Sequence, residues 1–454
     1  MLYSPHKTKG ELFMNIPTIE NAYENVRDAC EKKLKELYPH KIPAEARERL
    51  DQELKYLHAS NYADDFELAR LLYAEAEKSS QYLVCRGSVT GSFIFYLIST
   101  SRTNPLSPYY ICPKCGETRK ISSKLFGIDY PECHCPSCDA VMESDGYRLS
   151  IEEVWGLDGK KILSFDYNTS IEFYPFAKRL LERIYPDNAV VPYGLLSLAD
   201  ENSSINMTMC GYVILSAHQT AEDYPDLQGY LENGDPCISG NMMELNENNM
   251  KRLCLYHSPV QSAIVSMQRS TGIYISSITN RDLCDIGWNT IASTKLPGMQ
   301  TLSFIKQSKP KNKTELIRIL SLSHSSYSCT PVTSHFVTEN KLEMLDSPDF
   351  KAYPCCNRDD VFEHLLNLGI ERDLAFEYSE FIRKGKAAGT HSESKFDSLN
   401  LPEEFRNVIG TVLYLFPRSH NVEFALTFSI LAYYLKADSK AYSKMLRHLS
   451  AQKE

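Results

Sequence analysis

The stretch "KILSFDYNTS", residues 161–170, decides how the rest of the chain is read. Ile162, Leu163, Phe165 and Tyr167 give it the texture of a strand, and one carboxylate, Asp166, lies inside it. Burying a carboxylate on a strand is costly unless a cation or hydrogen-bond donors meet it. Three readings are open at this point: a metal ligand, the remnant of one, or an acid turned to solvent.

Working outward, similar short apolar runs recur on both sides. "GYVILS" (211–216) and "KRLCLY" (251–256) read as further strands, and "QYLVCRGSVTGSF" (81–93) as a strand, a glycine turn and a helix start. Residues 1–80 have helical periodicity instead. Thr18 is placed to cap a first helix whose stripe is Tyr23, Val26, Cys30, Leu34 and Leu37. Two more helices are predicted over 44–57 and 64–79. After about residue 258 the pattern is helical again, with a lysine-rich loop at 306–313 and a candidate mobile loop at 385–398. The predicted class is α+β.

At 454 residues, 43% hydrophobic and 24% charged, the chain has the make-up of a soluble globular protein with room for several domains. The longest apolar run, "FALTFSILAYYL" (424–435), is too short to span a bilayer, and the N-terminus has no apolar export signal. The expectation is a cytosolic protein with no membrane partner, whose fourteen cysteines are thiols or metal ligands. A net charge of −9 excludes a globally basic nucleic-acid binder, so any such surface must be local.

The sharpest local motif is "CPKC" (112–115) with "CPSC" (135–138). Each knuckle sets two thiolates on one side of a tight turn, and two knuckles complete a tetrahedron for a structural Zn²⁺. Cys112, Cys115, Cys135 and Cys138 are the predicted ligands, with Cys133 and His134 as spare donors. The turn "CRGSVTGS" (85–92) offers backbone N–H groups and Arg86 to an anion, and serves equally as a plain tight turn. Basic spots follow at "RKGK" (383–386) and "FPRSH" (416–420).

Taken in order, these pieces resemble one family, the PolC-type (C-family) alpha subunit of bacterial DNA polymerase III. "YLVCRGSVTGSF" is similar to its Y-L-V-G-S-R-G-S-V-G-S-S-F turn, and "NPLSPYYICPKCG" with "CPSC" to its N-P-L-P-P-H-Y-V-C-P-N-C segment. "PTIENAYENVRDACEKKLKELYP", "LIRILSLSHSS", "NRDDVFEHLLNLGIERDLAFEYSEFIRKGK" and "LFPRSHNVEFALTFSILAYYLK" resemble further pieces in sequence. The resemblance implies a C-family polymerase core: a nucleotidyltransferase-like palm with a mixed sheet, a four-cysteine zinc insertion and largely helical fingers. It implies a helical lead-in over 1–80, palm over 81–111 and 139–260, the zinc-bearing thumb region over 112–138, and fingers over 261–454. No exonuclease or clamp-binding segment is recognised, so neither activity is implied.

In the family, the strand matching 163–170 reads P-D-I-D-L-N-F-S, and its two aspartates hold two Mg²⁺ ions. Here the second is kept as Asp166 and the first has become Ser164. The third family acid lies in L-L-K-L-D-I-L-G, which aligns with "MKRLCLYH" and places Cys254 at the carboxylate. The resemblance therefore implies that two of three metal-binding acids are replaced. Asp166 reads as a relic, and the chain as a silent relative that binds DNA, nucleotide or a protein partner. The competing readings are a polymerase rebuilt around Glu172 or Asp158, using Mg²⁺ or Mn²⁺, and a pure protein-interaction module. The residues that would face nucleotide phosphates by this resemblance are Arg86, Gly87, Ser88, Arg383, Lys384, Lys386, Arg418 and His420.

Overall fold

The computed structural model describes residues 17–121, 123–196, 207–296, 300–329, 338–387 and 399–451. In chain order the strands are β1 (Val84–Cys85), β2 (Tyr109–Ile111), β3 (Thr118–Lys120), β4 (Glu143–Asp145), β5 (Asp166–Thr169) and β6 (Val190–Leu196). They continue as β7 (Met207–Ile214), β8 (Gln228–Tyr230), β9 (Pro236–Ile238), β10 (Lys251–His257), β11 (Ser326–Tyr327) and β12 (Val412–Tyr414). With many helices beside a mixed sheet, the class is α+β as expected. The chain forms two compact units, each assembled from three stretches.

The first unit takes residues up to 26, then 62–85 and 165–265. Its core is a seven-stranded sheet in the order β1-β5-β10-β7-β6-β9-β8. β5 and β10 run parallel, whereas β1–β5, β10–β7 and β6–β7 are antiparallel. Gly211 makes the β7–β10 contact possible: at φ +126°, a Cβ there would meet the Leu253 carbonyl oxygen at 2.0 Å. Helix Ala63–Lys78 covers one face of β5, with Tyr73 meeting Tyr167 edge-on at 6.3 Å and Phe66 meeting Phe165 at 5.1 Å. Lys251, at the start of β10, is buried but paired with Asp64 and Asp65.

β5 begins later than the apolar pattern suggests. Ile162 is 78% exposed and the strand opens at Asp166, where pairing with β10 begins, while β1 pairs only with Tyr167 and Asn168. The first helix also begins late, at Ala22, because Asn21 takes φ +54°; Thr18 is not its cap. Within that helix the predicted stripe holds, with Val26, Cys30 and Leu34 fully buried.

The second unit takes 27–61, 86–164 and 266–454. Helix Arg418–Ala437 is its axis: it is apolar almost all round and buried along most of its length, which accounts for the run at 424–435. It packs on the 3₁₀ turn Ser88–Gly91 and on helix Lys313–His324. The buried Glu53 caps helix Phe93–Ile98, accepting from the N–H of Phe93 (3.0 Å) and Ile94 (3.2 Å) and from Ser92. The lysine-rich segment 306–313 is only partly a loop. Lys306 lies in helix Gln300–Ser308, and Lys313 opens the next helix, its backbone N–H donating to Asp129 Oδ1 at 2.8 Å. Of the candidate mobile loop, residues 388–398 lie outside the described residues.

Candidate functional site

Asp166 and Asn168 share one face of β5, while Tyr167 and Thr169 are buried on the other. The parallel register sets Cys254 directly beside Asp166. Two strand neighbours in register point the same way, so a carboxylate at each position would converge on a shared cation. The second position holds a thiol instead. Burial, reinforced by the nearby Asp166 charge, pushes the Cys254 thiol up to about 12 despite the opposing Arg252, so it carries no charge near neutrality. Ser164, which the sequence also singled out, lies two residues before Asp166 and is partly buried.

A residue that the sequence motifs did not single out completes this site. Arg252 sits two residues before Cys254 on the same face of β10, and its guanidinium lies 3.7 Å from Asp166 Oδ1. It also packs over the Tyr193 ring at 5.5 Å and donates to the Tyr193 hydroxyl at 3.4 Å. A fixed organic cation thus stands beside this carboxylate. The sequence does carry a signal, since "KRLCLY" alternates Arg252 and Cys254 onto one face, but it does not say which strand lies alongside. The proposed replacement acids behave differently: Asp158 is exposed and salt-bridged to Lys160 at 2.7 Å, and Glu172 is exposed in the turn after β5.

The phosphate-facing candidates all belong to the second unit, and the structure brings some of them together. Gly87 takes φ +81° and donates its N–H to Nδ1 of His420 at 3.3 Å, while the Ser419 hydroxyl donates to the Gly87 carbonyl. The glycine turn and the last helix are therefore locked to each other. His420 is buried, stacked on Phe416 at 5.2 Å and held neutral, its pKa pushed well below 6.5 by burial and by the charges around His324 and Arg86. Arg86 and Ser88 remain partly exposed beside it.

Arg418 is spent inside the protein. It is 2% exposed and donates to Asp360 Oδ1 (2.9 Å), Glu363 Oε1 (2.7 Å) and the Arg148 carbonyl (3.0 Å). Arg383 is likewise clamped to Glu380 by two bonds of 2.5 and 2.6 Å. Lys384 and Lys386 are exposed, and they line a groove of about 620 Å³ together with Lys160, Lys161, Phe376 and Glu380. Lys161 was not anticipated from the sequence. Its ammonium donates to the Glu153 carbonyl at 2.9 Å and to Glu380 at 3.3 Å, and burial lowers its pKa to about 8.

The two cysteine knuckles have the same backbone design. Cys112 N–H donates to Glu117 O (2.8 Å) and Gly116 N–H returns to Cys112 O (2.9 Å); Cys135 and Asp139 repeat this with Ala140. The residue after each knuckle, Gly116 or Asp139, takes positive φ. β2, β3 and β4 form a three-stranded sheet around the first knuckle. The four sulfurs lie within 4.8 Å of one another, with close pairs at 3.4, 3.5 and 3.7 Å. A zinc tetrahedron with Zn–S bonds of about 2.3 Å has edges of about 3.8 Å, so the set fits this ion. Cys133 and His134 stand outside it, as His134 Nδ1 engages the Asp139 carbonyl at 2.9 Å.

Comparison with known proteins agrees with this geometry. Residues 24–169 match the family described as the bacterial DNA polymerase III alpha NTPase domain. DNA polymerase III PolC-type of Caldanaerobacter subterraneus is 24% identical over 92% of this chain and 33% of its own length. The PolC-type enzymes of Thermotoga maritima (23%, with 34% of its length covered) and Bacillus subtilis (24%, with 32%) each align over 92% of the chain as well. The chain spans about a third of the length of the curated relatives it matches. Across nearly all of its own length, then, this chain is similar to the DNA polymerase III alpha subunits of the PolC type.

Proposed function

We propose that this chain is a catalytically silent polymerase homologue that keeps a zinc-stabilised fold and acts by binding nucleic acid. The observation that carries the reading is the pairing of Asp166 with Cys254 and Arg252 where a metal-binding site would need a second acid. Two-metal phosphoryl transfer requires anionic oxygens that hold both cations and offset their charge. One carboxylate, a neutral thiol and a hydroxyl supply too little negative charge, and a guanidinium alongside repels a divalent ion. Losing metal stabilisation of the transition state removes several kcal/mol of catalysis.

Zinc at the four cysteines is part of this proposal, as a closed structural centre. The same reading places the protein in the cytosol, where cysteines outside the zinc centre stay reduced. None of the described helices is long and apolar enough to cross a membrane.

The reading is tested by Mn²⁺ titration followed by electron paramagnetic resonance. The wild-type chain is expected to show no tight Mn²⁺ site, and the Ser164→Asp/Cys254→Asp variant to gain at least ten-fold in affinity. Tight binding of two Mn²⁺ ions by the wild type would overturn the proposal. No gain in the double variant would overturn the alignment on which it rests.

A further inference from the structure

The last described helix, Ser439–Ala451, departs from the acidic balance of the chain as a whole. The protein has 58 acidic and 49 basic residues, yet this segment holds Lys440, Lys444, Arg447 and His448 and no acid. Spacings of four, three and one residues gather these four on one side of a helix. All four are exposed, while Tyr442 (1%) and Met445 (3%) anchor the opposite side in the protein.

The arrangement is not explained by the helix itself. Like charges one turn apart destabilise a helix. Cations near the C-terminal end interact well with the helix dipole, which suits Arg447 and His448, but Lys440 lies in the first turn where a cation is disfavoured. Among the described residues no ion pair engages Lys440, Lys444 or Arg447. The face is therefore a row of exposed cations about 10 Å long, with the Asp438 carboxylate bound to the backbone N–H groups of Lys440 and Ala441 at its start.

We propose that this face is a docking surface for the phosphate backbone of nucleic acid. It rests on the nucleic-acid part of the function proposed above. A row of mobile cations without aromatic or amide side chains between them suits sequence-independent neutralisation of phosphates, in which each contact releases a counterion. An anionic membrane is the poorer match, because a surface-seeking helix must present its apolar face to lipid, and here Tyr442 and Met445 are already covered.

The test is fluorescence anisotropy of the full chain with duplex DNA, single-stranded DNA and RNA across 50–300 mM salt. The Lys440→Gln/Lys444→Gln/Arg447→Gln variant is compared with a control that removes equal charge elsewhere, Lys32→Gln/Lys33→Gln/Lys35→Gln. Thermal melting verifies that both are folded. The helix variant is expected to lose at least ten-fold in affinity at 50 mM salt and to lower the log–log salt slope by about 2 to 3. The control is expected to change neither by more than two-fold. Equal losses in both variants, or none in the helix variant while the wild type binds, would overturn this surface and leave the silent-homologue reading standing. Binding by the wild type to phosphatidylserine vesicles but to no nucleic acid would overturn the surface and the nucleic-acid reading together.

Discussion

Asp166 and Arg252 face each other across 3.7 Å on adjacent strands, with the neutral Cys254 thiol beside them. The positive charge beside Asp166 is a guanidinium fixed on the protein. Asp166, Ser164 and Cys254 were legible in the sequence because strand motifs carry their spacing with them. Arg252 was not, since its role depends on β5 and β10 being neighbours, and that is a long-range pairing. A second residue-scale consequence concerns His324, whose pKa burial and the nearby Lys341 and Arg86 charges lower to about 4, against a hydrogen bond to Asn421. Its folded value lies below the unfolded one, near 6.5, so its neutral form favours folding above that value and stability drains away as pH falls from 6.5 toward 4. Between pH 7 and pH 5 the loss from this residue is about 2 kcal/mol. Urea unfolding at both pH values should show a difference smaller by that amount in His324→Asn. An unchanged pH dependence in the variant would contradict the assignment.

At the scale of elements, the cysteine knuckles were the most readable feature, because a four-thiolate site is a local device set by C-x-x-C spacing. The strand limits were harder to read. "KILSFDY" is apolar from Ile162 onward, but pairing with β10 begins only at Asp166, and β1 adds partners for two residues. The basic motifs were misleading for a related reason: sequence shows a charge but not its partner, and Arg418 and Arg383 spend theirs on Asp360, Glu363 and Glu380. The knuckle design makes two predictions. Protein purified without added metal should carry about one zinc per chain by atomic emission, and a folded, zinc-free protein would contradict the centre. Gly116→Ala should destabilise the protein by about 2 kcal/mol and speed zinc release to a chelator. Gly116 has φ +73°, and a Cβ there would approach the Cβ of His40 to 2.5 Å. Chelator kinetics identical to wild type would count against that account.

For the molecule as a whole, a net charge of −9 means that nucleic-acid affinity has to come from local surfaces. The ordered series of motifs made the fold class legible, and the mixed sheet, the four-cysteine cluster and the many helices agree with it. What the series did not disclose is how cations are distributed between interior and surface, since that depends on three-dimensional packing. Buried arginines hold the second unit together, while Lys160, Lys384 and Lys386 of the 620 Å³ groove and the lysines of helix Ser439–Ala451 face solvent. We propose that this scaffold does not perform two-metal nucleotidyl transfer. Primer extension on a primed DNA template, with Mg²⁺ and separately with Mn²⁺, beside Asp166→Asn, tests it most directly. The account predicts no extended product with either metal. Extension by the wild type that disappears in Asp166→Asn would show a working active site built on Asp166, and would contradict it.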